Sequence, residues 1–177
     1  MMRLLDELGV DCFCPDLPAC NESLAAQDRQ TLAGWRMAVA AAAAHVRATH
    51  ALALRSGCWL VPRDLQGWLY APTQPAGVLR SMLRARILAA KEAGHVERAE
   101  ILIEQGLDSG IELAGWKLGA QLVAELSTSS FSPEGVQIVI DHESIGGSPL
   151  WLRAENGFDP AQAHPLANLV AAGIEHA

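Results

Sequence analysis

No apolar run in this chain is long enough to cross a bilayer. The longest candidate, Met37 to Val46, is alanine-rich and reads as a helix packed on a sheet. The N-terminus lacks the long apolar core of a signal peptide and carries acids early, at Asp6 and Glu7. Basic excess is absent too: the net charge is −7 over 177 residues, which argues against general nucleic-acid binding. Cysteine is scarce, limited to Cys12, Cys14, Cys20 and Cys58. No second pair and no suitable histidine spacing accompanies Cys12 and Cys14, so no zinc site is expected. Nor does any stretch call for a cofactor. Reduced thiols in a cytoplasmic setting are the expectation. Internal repeats and low-complexity linkers are also missing.

What is present suits a single packed domain. Half of the residues are hydrophobic, and the length allows a real core. Residues 2–8 read as a helix closed by Gly9, and Val10 to Cys14 as a strand. Pro15 to Ser23 is a turn-rich loop holding Asp16, either as a site residue or as a cap for nearby amides. Thr31 caps a helix running to Arg47. Strands follow at His50 to Leu54 and Gln66 to Pro72, with a turn between them.

Helices are expected at Val78 to Ala93, Glu97 to Gln105 and Gly119 to Leu126, with Ile111 to Trp116 as a short strand or extended link. The span 78–127 reads as a helical cap insertion. Arg80, Arg84 and Arg86 are expected on a solvated face with acidic neighbours rather than at an anion site. Gly135 to Ile140 is a strong strand, with Asp141 and His142 at its carboxyl end. Leu150 to Ala154 reads as a last strand and Ala161 to Glu175 as a closing helix. The fold class is therefore α/β, a mostly parallel sheet with flanking helices.

The stretch from His50 to Leu60 carries the functional question. A buried strand, a sharp Arg55-Ser56-Gly57 turn and a second apolar run have the geometry of a nucleophile elbow. The Gly-x-Ser-x-Gly frame reads Ala53-Leu54-Arg55-Ser56-Gly57, with arginine at the nucleophile position. Arginine stays protonated near neutrality and cannot attack a carbonyl. Ser56 is a candidate catalytic nucleophile only through a one-residue shift of the turn, and Cys58 is expected to pack beneath it. Asp141 and His142 are adjacent in sequence and poorly placed to bond each other as acid and base, and His164 falls near a helix start. Arg55 offers a different chemistry. At a strand end its guanidinium fork suits a carboxylate or phosphate ligand, or it pairs with Asp16 or Asp141.

Several of these stretches resemble α/β-hydrolases. Pro15-Asp16-Leu17-Pro18-Ala19-Cys20-Asn21-Glu22-Ser23 is similar to the Pro-Asp-Leu-Pro-Gly-x-Gly-x-Ser loop after that family's fourth strand, and Thr31-Leu32-Ala33-Gly34-Trp35 to the start of its next helix. More narrowly, Ala53 to Gly57, Met82-Leu83-Arg84-Ala85-Arg86, Glu112 to Leu118 and Pro149-Leu150-Trp151-Leu152 resemble the second type of exosortase A system-associated hydrolase. Those proteins accompany bacterial exopolysaccharide and protein-sorting loci. The resemblance implies a partial α/β-hydrolase-like fold and a hydrolase activity on carboxylic esters or thioesters, with a small acyl or anionic ligand. It departs at Ala19, Asn21 and Ala53, where the family pattern has glycine. It also implies an oxyanion amide after a third strand, and the first three strands of the pattern have no counterpart before Met1. A displaced start codon, direct pairing of the remaining strands, or a second chain, as in a homodimer, would each answer that gap.

Overall fold

The computed structural model describes residues 1–152 and 157–175. Its centre is a three-stranded parallel sheet ordered β1-β2-β5, from β1 (His50–Leu54), β2 (Gln66–Tyr70) and β5 (Ile138–Ile140). Helices flank it, so the chain is α/β with a parallel sheet. The apolar runs explain the central place of β2: four of its five residues are buried, as expected of a strand covered on both faces. Gly67 permits the tight β1–β2 approach. Its φ is +142°, and a Cβ there would collide with the backbone of Ala51, its register partner.

One face of β2 presents Trp68 and Tyr70 to α1 (Met2–Glu7) and α7 (Pro160–Glu175). Leu4, Leu5, Leu166, Ala167 and Val170 complete that core. α2 (Leu32–Val46) leads into β1. Thr31 caps it, its hydroxyl accepting from Gly34 N at 2.9 Å, a bond whose loss costs about 1 kcal/mol in such caps. Leu32 N donates to the Glu125 carboxylate at 2.6 Å, so a distant acid satisfies a second free amide of the first turn.

Between β2 and β5 lies an excursion: α3 (Pro75–Glu92), α4 (Ala99–Ser109), a hairpin of β3 (Ile111–Leu113) and β4 (Trp116–Leu118), and α5 (Ala120–Thr128). Leu79, Leu83, Leu102, Leu113, Leu122 and Val123 form its core, which also takes in Leu32 of α2 and Trp59. The hairpin tightens what reads in the sequence as one extended link, because Ala114 (φ 50°) and Gly115 (φ 79°) both turn left-handed. Arg86 is no anion site. Its guanidinium binds Glu97 (2.7 Å) and the Glu112 carbonyl (2.9 Å).

Two expected strands are corrected. Val10 to Cys14 takes no regular secondary structure and joins neither sheet among the described residues, so its strand-like composition finds no ladder partner there. Leu150–Leu152 forms a 3-10 turn rather than a strand, and Arg153 and Ala154 lie outside the described residues. After β5 the chain instead makes a short helix, α6 (His142–Ile145). No helix among the described residues is long and apolar enough to cross a membrane.

Candidate functional site at the carboxyl ends of the sheet strands

β1 and β2 end in register, Leu54 beside Tyr70, and each strand leaves the sheet through a left-handed residue: Arg55 (φ 54°) and Ala71 (φ 46°). Positive φ is unfavourable for side chains other than glycine, so the fold holds two strained corners side by side. The 3-10 turn Arg55–Trp59 follows the first. This is a strand-to-helix elbow with an arginine at its apex. Arg55 Nη1 donates to the Ala71 carbonyl at 3.2 Å, tying the corners together. The guanidinium carbon lies 4.1 Å from the centre of the Trp151 ring, a cation–π contact. Among the described residues its other N–H groups make no hydrogen bond. Burial lowers the Arg55 pKa from its usual value, yet a guanidinium remains charged at neutral pH.

Trp151 joins Arg55 to a second pair. Its ring meets His142 edge-on at 5.0 Å and Tyr70 at 6.1 Å. Tyr70 Oη and His142 Nδ1 are 2.5 Å apart, and His142 Nε2 is 2.9 Å from the Gly147 carbonyl. The tautomer with hydrogen on Nε2 satisfies both contacts: the phenol donates to Nδ1, and Nε2–H donates to the carbonyl. Burial raises the Tyr70 pKa, with the Arg55 charge opposing, so the phenol keeps its proton. Both ring nitrogens of His142 are thus occupied, which leaves no lone pair to activate a serine.

The remaining candidates stand apart. Ser56 is exposed and makes no hydrogen bond with an acid or base among the described residues. Asp141 precedes α6 without capping it through its side chain, and its carbonyl accepts from Ser144. Asp16 is exposed and accepts from Asn21 Nδ2 at 2.6 Å within its own loop. No ion pair joins Arg55 to Asp16 or Asp141 among the described residues. Cys58 is buried under the turn, its thiol directed at the Ala53 and Tyr70 carbonyls and pushed up to about 11 by burial. His164 is exposed on α7.

Sequence reasoning brought Arg55 and His142 to one end of the sheet but missed Tyr70 and Trp151. Tyr70 was readable as the last β2 residue, beside the elbow in any parallel pairing with β1. Trp151 carried no such signal. No group of three or more histidine, cysteine or acidic side chains among the described residues is arranged to hold a metal ion. The chain matches no protein family, no curated protein and no solved structure with which it was compared.

Proposed function

We propose that the chain is an α/β-hydrolase-like protein of the exosortase-associated kind, whose elbow binds the carboxylate or phosphate of a small anionic ligand through Arg55. Ordinary Ser-His-Asp hydrolysis is not its chemistry. The observation that carries this reading is the environment of Arg55. One N–H and the ring of Trp151 fix the guanidinium, while its other donors have no partner among the described residues. A fork held that way is prepared for bidentate hydrogen bonding to an oxyanion. Its position at the carboxyl ends of parallel strands is where open α/β sheets take ligands. The exopolysaccharide-related setting is taken from the resemblance alone, and the cytoplasmic setting from the reduced thiols expected of the sequence.

Calorimetric titration with inorganic phosphate and with acetate tests this. Saturable binding is expected for the wild type, abolished in Arg55→Ala and weakened in Arg55→Lys, which keeps the charge but not the fork. Equal binding by Arg55→Ala would refute the assignment.

A second reading is hydrolysis of carboxylic esters or thioesters by Ser56. It is favoured by one observation, the exposure of that hydroxyl on the elbow itself. It requires p-nitrophenyl acetate turnover that falls in Ser56→Ala. Undiminished turnover in that variant would remove it.

A further inference from the structure

We propose that a cleft lined by α2 and by the connector preceding β5 binds a small organic monocarboxylate with an apolar body, its carboxylate held by Arg36. The cleft has a volume of about 420 Å³, within the range of small-molecule sites. Three parts of the chain line it: Arg36, Met37 and Ala40 of α2, the stretch 58–63 that begins in the 3-10 turn, and the connector 130–135 with Gln137. Arg55, Tyr70, His142 and Trp151 do not line it, so it is a site apart from the elbow.

The connector has no regular structure, yet side chains and backbone hold it along its length. Gln74 Nε2 donates to the Phe131 carbonyl and Phe131 N donates to Gln74 Oε1, each at 2.9 Å. Arg63 Nη1 lies 3.1 Å from the Glu134 carboxylate. Val136 N donates to the Arg63 carbonyl at 3.1 Å, and Gln137 Nε2 to the Pro62 carbonyl at 2.8 Å. A lining fixed by these bonds loses little freedom when a ligand enters. Arg36 is fixed in the same way, its Nε donating to the Trp59 carbonyl at 2.9 Å. Its Nη groups make no hydrogen bond or ion pair among the described residues. They leave a planar pair of donors suited to the two oxygens of a carboxylate.

Charge and apolar surface define the ligand. The charged side chains of the lining are Arg36, Arg63 and Glu134, and the last two neutralise each other. The cleft therefore carries the single positive charge of Arg36 on a chain whose net charge is −7. A monoanion balances that charge, whereas a dianion brings a second negative charge that nothing in the lining offsets. Met37, Ala40, Val61, Pro62, Phe131 and Pro133 supply apolar contact. Met37 is 69% exposed, and its flexible thioether can close over an apolar body and leave water in doing so.

Calorimetric titration of the whole chain with octanoate tests this, with octanamide and acetate as controls that lack the charge or the apolar body. Saturable one-to-one binding of octanoate is expected, at least about tenfold tighter than that of either control. Arg36→Gln is expected to lose that preference for octanoate over octanamide. Ala40→Glu leaves the Arg36–Trp59 bond alone but sets a carboxylate one helical turn from Arg36, and is expected to weaken octanoate binding to a similar degree. Arg55→Ala is expected to bind octanoate as the wild type does. The proposal fails if octanoate does not bind, if octanamide binds equally, or if Arg36→Gln and Ala40→Glu bind octanoate unchanged. It also fails if Arg55→Ala abolishes the binding, because octanoate then sits at the elbow.

Discussion

The phenol oxygen of Tyr70 lies 2.5 Å from Nδ1 of His142, joining the end of β2 to the first residue of α6 beyond β5. This bond closes the sheet end in which Arg55 and Trp151 stand. Tyr70→Phe keeps the ring and removes the bond. It is expected to lower unfolding stability by about 1 kcal/mol in urea denaturation. A double-mutant cycle with His142→Ala is expected to show a coupling of comparable size. Additive effects would mean that the contact contributes nothing.

Arg55 combines a strained backbone with a side chain that anchors itself. Glycine at this position relieves the left-handed strain, whereas alanine keeps it and loses the guanidinium contacts. Arg55→Gly is therefore expected to be more stable than Arg55→Ala by about 1 kcal/mol. Equal urea midpoints would show that the corner is not strained.

Thiol reactivity separates the cysteines. Cys14 is exposed, whereas Cys58 is buried with its pKa pushed up to about 11. Because the thiolate is the reactive form, iodoacetamide at pH 8 is expected to modify Cys14 first and Cys58 last, read by peptide mass spectrometry. Urea should equalise them. Fast labelling of Cys58 in the folded protein would contradict its placement beneath the elbow.

The Arg86–Glu97 bridge gives a pH signature. Hydrogen bonding to Arg86 lowers the Glu97 pKa from its usual 4.5. A carboxylate lowered by folding stabilises the folded state above its unfolded value, and that contribution disappears as pH falls through the folded value. Glu97→Gln is therefore expected to be less stable than the wild type at pH 7, with the two converging below pH 4.5. A difference independent of pH would assign the loss to packing instead.

The helices were legible because their signals are local. The Thr31 hydroxyl, the spacing of Leu79 and Leu83, and the apolar run of α7 each point to a helix without help from distant residues. Val10 to Cys14 has strand composition, but a strand exists only through its neighbour, and that is a property of the whole sheet. The hairpin turn at Ala114 was hidden because alanine rarely accepts positive φ. At the site, Arg55 was readable from its place in the elbow frame. Its partnership with Trp151 depends on a 3-10 turn nearly a hundred residues later in the chain, which no local pattern specifies.

The excursion between β2 and β5 has a consequence for the order in which the molecule assembles. His50 pairs with Gln66 across a short connection, while Trp68 pairs with Ile138 across all of α3, α4, the hairpin and α5. Closing the longer loop costs more chain entropy and contributes the most non-local contacts in the sheet. The β1–β2 pair and the elbow are therefore expected to form before β5 docks. Since β5 leads directly into His142, the ring cluster around Arg55 is expected to come together last.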